Sequence, residues 1–531
     1  MDHTLIRGAL VVDGTGAPGR AADVVVHGDR IVSITPATSL APSPGSVDGS
    51  GLVLAPGFID MHAHSDLEIL REGTHDAKLL QGVTTEVIGQ DGLGYAPVDD
   101  GVLADIRTRI AGWNGDLTDD EFSWRDVAGY LGRIDGGTPT NAAFLVPQGN
   151  LRMMTVGHDA RAATAAELDR MQGLLADGMR AGAFGMSSGL TYAPGLHATT
   201  DELAALCRVV AAHGGYWSPH TRGYGGGALD AYREVIDISR RTHCPVHLTH
   251  ATMNFPSNRG RAGELLELVD AAVAEGVDVT LDAYPYLAGA TTLAALLPSW
   301  AAAGGMDATL ERLSDRVELG AIREALEVTG SDGSHGERID WSTITIAGVS
   351  SPALEPCVGR VVSDLVGLPA LGGPATAFDA AVAILRRDRL RTSILMHVGD
   401  ESNVRRILAH PRHMGGSDGI LVGSRPHPRG WGTFPRYFAA YGDLMPLEEW
   451  VRHLTGSPAA RLGLEDRGVL REGAVADLVL FDATRIADAS SYEHPRTTPR
   501  GISDVWIRGE RVVAAGVPTG ARAGRALRHA G

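Results

Sequence analysis

Two histidines two residues apart, His62 and His64, close the run Ala55-Pro56-Gly57-Phe58-Ile59-Asp60-Met61-His62-Ala63-His64. Side chains alternate along a strand, so both imidazoles point the same way. Two neutral imidazoles at that spacing can bind one metal ion. The competing reading is a histidine-rich loop. His220 ends the strand-like run 215–220, and His250 ends the run 245–250. Taken alone, each is more often a surface or hydrogen-bonded histidine than a ligand. His247 alternates to the other face of its strand and is no candidate. Asp418 lies in Gly415-Gly416-Ser417-Asp418-Gly419, where an aspartate before glycine is commonly a turn residue. Arg429 follows in His427-Pro428-Arg429-Gly430-Trp431-Gly432-Thr433-Phe434-Pro435. A guanidinium can grip a carboxylate through two parallel hydrogen bonds. A surface arginine is the bland alternative, because Lys78 is the only lysine and nearly every basic residue here is arginine.

The elements that must position these residues alternate along the chain. Strand-like runs cover 57–64, 83–89, 143–147, 183–187, 215–220, 245–250, 277–284 and a short stretch ending at Ser417. Helix-like stretches lie between several of them, at 165–181, 201–213, 230–241 and 263–275. Eight strands in βα alternation predict an α/β fold with a (β/α)₈ TIM-like barrel over 56–465, whose active site lies at the C-terminal ends of the strands. An open, doubly wound sheet is the alternative. It lacks the glycine-rich phosphate turn after its first strand. The spacing from Asp282 to Asp418 far exceeds the roughly 30 residues of one βα step. It predicts an insertion over 298–363 with its own strand at 343–347. Trp113 and Trp124, in the long stretch 92–140, fit either a lid or a packed loop.

The two ends of the chain resemble each other. Residues 24–32 and 504–513 each read as two strands joined by a glycine-containing tight turn, and 476–481 adds a further strand. Isolated hairpins are marginal in water. The expectation is therefore a small β-sandwich domain formed by 1–55 together with 466–531. Two independent edge hairpins are the alternative.

The 531 residues carry a formal net charge of −17, with 44% hydrophobic and 21% charged residues. These proportions are those of a globular protein. The acidic balance argues against nucleic-acid and anionic-membrane partners. No apolar run approaches the roughly 20 residues of a membrane span. The start, Met1-Asp2-His3, shows no secretory pattern. Cys207, Cys244 and Cys357 are too few and scattered for a disulfide framework, so a cytoplasmic protein is expected.

The run Pro56-Gly57-Phe58-Ile59-Asp60-Met61-His62-Ala63-His64 resembles the first-strand signature of the amidohydrolase superfamily. Several later segments resemble its D-aminoacylase branch, the N-acyl-D-amino-acid deacylases. They are Gln81-Gly82-Val83-Thr84-Thr85, Gly185-Met186-Ser187-Ser188-Gly189-Leu190-Thr191-Tyr192, Tyr284-Pro285-Tyr286, Gly416-Ser417-Asp418-Gly419 and the segment around Arg429. The resemblance implies a metal-binding barrel with a small β domain. It implies His62, His64, His220, His250 and Asp418 as ligands of one or two divalent ions, with Zn²⁺ as the expected cofactor. It also implies Asp418 as general base, Arg429 as anchor for the substrate's α-carboxylate, and Tyr192 and Tyr286 as substrate contacts.

The sequence departs from that branch in places. A carboxylated lysine bridges the metals in many relatives, but Lys78 lies in a helix-like stretch, away from a strand end. Asp91, in Gln90-Asp91-Gly92, stands where the branch has Asn-Cys-Gly. A carboxylate binds zinc at lengths similar to those of other ligands, but it is harder than sulfur and relaxes the preference for zinc. Gln148 stands where histidine is frequent. The implied activity is metal-dependent hydrolysis of linear N-acyl-D-amino acids, small-molecule substrates. The tighter ion would be held by Asp91, His220 and His250. Hydrolysis of a cyclic or other amide, or a non-catalytic assembly role, are the alternatives. The sequence sets no oligomeric state.

Overall fold

The computed structural model describes residues 3–41 and 45–530. Met1 and Asp2, on which part of the reading of the N-terminus rests, lie outside the described residues. Eight parallel strands form one sheet in the order Phe58–Asp60, Val83–Ile88, Asn141–Pro147, Gly185–Gly189, Tyr216–His220, Val246–Leu248, Val279–Ala283 and His413–Gly415. They are called here the first to eighth barrel strands. The sheet closes on itself. Met61 N donates to Gly415 O at 2.9 Å, and Asp418 N donates to His62 O at 2.7 Å. The fold is the expected (β/α)₈ barrel. Ile59, Met61, Val87, Ala143, Leu145, Tyr216 and Met414 form one buried cluster across its strands, which packs a barrel interior as a core.

Local sequence explains the surrounding helices. Thr164 caps Ala165–Arg180: its Oγ1 accepts from Glu167 N at 3.3 Å, and Glu167 Oε2 accepts from Thr164 N at 2.7 Å. Met171, Leu175, Gly178 and Met179 recur at helical spacing and make its buried face.

Both ends of the chain enter one nine-stranded sheet. His3–Val11 pairs with Arg20–His27 and with Val53–Pro56, and Val53–Pro56 pairs with Leu478–Phe481. The two hairpins, Arg20–His27 with Arg30–Pro36 and Ile502–Ile507 with Glu510–Ala514, flank that centre. The sheet is continuous and curls over its own core: Ile31 N donates to Ala474 O at 2.9 Å, and Ile6, Val24, Leu478, Leu480 and Trp506 share one apolar cluster.

The late insertion has a separate apolar core and an antiparallel sheet of Ala288–Thr292, Ser393–His397 and Ile344–Gly348. Two of its three strands lie outside 298–363, so the unit is longer than its internal strand alone suggests. Among the described residues, no helix is long and apolar enough to cross a membrane.

Candidate metal centre and active site

Six side chains converge above the C-terminal mouth of the barrel. His62 and His64 follow the first strand and Asp91 the second; His220 ends the fifth; His250 follows the sixth and Asp418 the eighth. All six are buried. Their donor atoms form two overlapping groups. One is His62, His64, Asp91 and Asp418; the other is Asp91, His220 and His250. Within each group the atoms lie within 4.8 Å of one another. Asp91 belongs to both. Its Oδ1 lies 3.6 Å from His62 Nε2 and 3.6 Å from His250 Nε2. Its Oδ2 lies 3.6 Å from His64 Nε2 and 3.7 Å from His220 Nδ1. Asp418 Oδ1 stands 3.1 Å from His64 Nε2 and 3.7 Å from His62 Nε2.

The backbone is bent to make this possible. Asp91, His250 and Asp418 have φ of 56°, 33° and 48°. Few non-glycine residues enter this left-handed region, aspartate and histidine most readily, and such strain gathers at functional sites. The Asp91 loop is pressed onto the end of the fourth strand. A Cβ on Gly92 would meet Gly189 N at 2.4 Å, and one on Gly189 would meet Asp91 O at 2.1 Å. A side chain at either position would displace Asp91.

Neighbouring groups orient these side chains. Thr191 Oγ1 lies 2.8 Å from His220 Nε2, which leaves Nδ1 facing Asp91. Asp282, on the seventh strand, accepts from His250 N at 2.9 Å through Oδ1. Its Oδ2 lies 3.0 Å from His247 Nε2 and 3.7 Å from His62 Nδ1. Asp282 was not singled out from sequence. The available signal was a carboxylate inside an otherwise apolar run, which burial requires to be partnered. His247 does face away from the ligand cluster and serves Asp282 instead.

The residues fit a metal ion. Both ring nitrogens of His62 and Asp91 Oδ1 are buried without a hydrogen-bond partner. Such atoms are costly unless something satisfies them. Two ligands held 2.0–2.1 Å from a tetrahedral zinc stand about 3.4 Å apart, close to the spacings around Asp91. Electrostatics agree. Burial lowers the His62 pKa, but Asp418, Asp91 and Asp282 outweigh it and push the ring up to about 9. Burial raises the Asp418 carboxyl, yet Arg429, His62 and His64 bring it down to about 2. The carboxylates call for positive charge where a divalent cation would supply it. Imidazole and carboxylate donors together suit zinc and its divalent neighbours.

Arg429 begins the helix Arg429–Tyr441 and is wholly buried. Its guanidinium lies over the Tyr284 ring at 4.4 Å. Nη2 is ion-paired with Asp418 Oδ2 at 2.8 Å, whereas Nε and Nη1 are buried with no hydrogen-bond partner. It is a buried cation beside the ligand cluster with unused donors. A cavity of about 70 Å³ opens over Asp91, His220, His250 and Asp418, walled by Tyr192, Tyr224, Phe255, Tyr284 and His335. Tyr192 packs on His220 with ring centres 4.8 Å apart, and its hydroxyl lies 3.1 Å from Thr291 Oγ1.

Tyr286, a substrate contact by resemblance, is placed elsewhere. It does not line this cavity; its hydroxyl donates to Asp488 at 2.9 Å and its ring packs on His427. Tyr284, two residues earlier, takes the place beside Arg429. His335, from the insertion, also reaches the cavity, and nothing in its short polar segment marked it. Trp113 packs on His64, whereas Trp124 is a core anchor that donates to Tyr95 O at 2.9 Å. Gln148 is buried away from the cavity, 3.4 Å from Glu202. Lys78 Nζ is engaged by Asp60 at 2.6 Å and by Ser417 Oγ at 2.9 Å.

A closed parallel barrel with two overlapping imidazole–carboxylate groups at its C-terminal mouth is the architecture of a metal-dependent hydrolase. The chain belongs to the amidohydrolase family, whose model matches residues 46–513. It is 37% identical to the D-aminoacylase of Alcaligenes xylosoxydans xylosoxydans, over 98% of this chain and 97% of that protein. It is 34% identical to the N-acyl-D-glutamate deacylase of the same organism, over 99% and 96%. The crystal structure of N-acyl-D-glutamate deacylase from Bordetella bronchiseptica, in complex with zinc and a phosphonate mimic of the tetrahedral intermediate, covers 99% of both chains with a TM-score of 0.83 and 33% identity.

Proposed function

We propose that this chain hydrolyses the amide bond of N-acyl-D-amino acids, releasing a carboxylic acid and a D-amino acid. The observation that carries the reading is the buried Arg429, with unused donors, beside a cluster of imidazoles and carboxylates. The full-length relatives, D-aminoacylase and N-acyl-D-glutamate deacylase by name, support both the linear substrate and its D configuration.

Asp91, His220 and His250 would hold one divalent ion, Zn²⁺ first among the candidates, and His62, His64 and Asp418 with Asp91 a second. A zinc ion held there would supply polarisation of the acyl carbonyl and a lowered pKa for water. Arg429 binds the substrate's α-carboxylate and fixes the amide over Asp91. Asp418 accepts the proton of the attacking water at a carboxylate oxygen and passes it to the leaving amine nitrogen. Tyr192 and Tyr284 wall the cavity that receives the substrate. A hydantoin ring carries no carboxylate for Arg429 to grip, which favours the linear amide. We place the reaction in the cytoplasm, because Cys207, Cys244 and Cys357 are all free and buried.

Arg429→Ala tests this reading. kcat/KM for N-acetyl-D-methionine should fall by about 100-fold or more, while N-acetyl-D-methionine amide, which lacks the carboxylate, should lose little. Equal losses on both would contradict the assignment.

A further inference from the structure

We propose that a second, larger cavity beside the metal centre is a subsite for a long, uncharged acyl tail, so that the substrates are N-acyl-D-amino acids with a medium-chain alkyl or arylalkyl acyl group. The inference rests on the Arg429–carboxylate reading above.

The cavity measures about 240 Å³, against about 70 Å³ for the space over the ligand cluster. Thr191, Tyr192, Ala295 and Gly333 line both, so the two meet there. Its position relative to the centre is tight. Thr191 is hydrogen-bonded to His220, and Trp113, packed edge-on against Tyr192 at 5.0 Å, also packs on His64 with ring centres 5.5 Å apart.

Topology decides which end of the substrate enters. Arg429 lies just past the eighth strand, while Thr191 and Tyr192 follow the fourth. In a closed eight-stranded barrel these strands lie on opposite sides. A linear amide with its α-carboxylate on Arg429 and its carbonyl over Asp91 must point its acyl group away from Arg429, towards the fourth strand. That is where the larger cavity lies. The side chain on the α-carbon stays on the near side, in the smaller space.

Chemistry decides what kind of acyl group fits. Ile110, Trp113, Leu297, Ala302 and Met306 give the wall an apolar character. The three arginines at its edge are already paired: Arg109 with Asp105 at 3.1 Å, Arg222 with Glu234 at 2.8 Å and Arg389 with Asp307 at 3.3 Å. No free cation is left to receive an acidic tail. An apolar cavity of about 150 Å³ is enough for benzene, so this one far exceeds the needs of an acetyl group. Binding energy from such a remote tail can be used to raise kcat/KM.

The test is kcat/KM for the zinc-supplied protein on N-acetyl-, N-butanoyl-, N-hexanoyl- and N-octanoyl-D-methionine. Each buried methylene is worth about fourfold. Burial of half of the six added methylenes would give about 60-fold, so a rise of at least about 30-fold from acetyl to octanoyl is expected, and Ala302→Trp should flatten it. Should that variant fail to fold, product inhibition of the unaltered protein serves instead, with octanoate binding far more tightly than acetate. A flat or falling series on a protein that turns over N-acetyl-D-methionine would overturn the acyl subsite alone. No turnover at any chain length would overturn the proposed function.

Discussion

Asp418→Asn is expected to lower kcat on N-acyl-D-amino acids by about 10²–10⁴-fold while leaving in place the fold and the ion held by Asp91, His220 and His250. The amide is nearly the same size as the carboxylate, but it cannot accept and return a proton. The backbone around it does not depend on the lost charge. Asp418 N donates to His62 O, and Ser417 N donates to Asp60 Oδ1 at 2.8 Å. Asp91, His220 and His250 form their group without it. The measurement is kcat beside metal content and thermal midpoint of the purified variant. Near-normal kcat would remove Asp418 from the role of base. Loss of kcat together with loss of metal would make it a ligand first.

Lys78→Met is expected to produce the largest loss of stability. Lys78, Asp60 and Glu86 are all fully buried, and the ammonium lies 2.6 Å from Asp60 and 3.5 Å from Glu86. Removing one partner of a buried ion pair leaves its counter-charge uncompensated, at a cost of about 3–5 kcal/mol. Here Asp60 loses the cation beside it, while Glu86 keeps His75 Nε2 at 2.7 Å. The damage should reach the site, because Asp60 Oδ1 also accepts from His62 N at 3.2 Å and Ser417 Oγ donates to Asp60 Oδ2 at 2.6 Å. One buried cation thus steadies both the His62–His64 segment and the Asp418 turn. Urea unfolding of the variant should show a clearly lower midpoint, and any folded fraction should have reduced kcat. A midpoint equal to that of the unaltered chain would show the pair to be dispensable.

Much of this architecture is legible in the sequence, for physical reasons. Parallel barrel strands are buried on both faces, so they read as short apolar runs between glycines and prolines. Residues 142–147 of the third strand are of this kind. The β domain is legible because hairpin turns carry their own glycine signal, at Gly28 and Gly509. The candidate ligand residues can be found by type and by place, since each lies at or just past the end of a strand. What escapes is set by tertiary contact. Asp282 matters through three partners on other elements. Tyr284 and Tyr286 differ by one alternation, and only the packed structure shows that Asp488 claims the second. Ala288–Thr292 and Ser393–His397 are strands because they pair across a long insertion with each other. His335 reaches the cavity from within that insertion, a distance no local pattern encodes.

The initial rate on matched N-acetyl-D- and N-acetyl-L-methionine, with protein supplied with zinc, tests the central claim most directly. Fast turnover of the D substrate with little or none of the L is predicted, and it would show that a carboxylate at Asp91 sustains the chemistry. No turnover of either, or preference for the L substrate, would contradict the assignment.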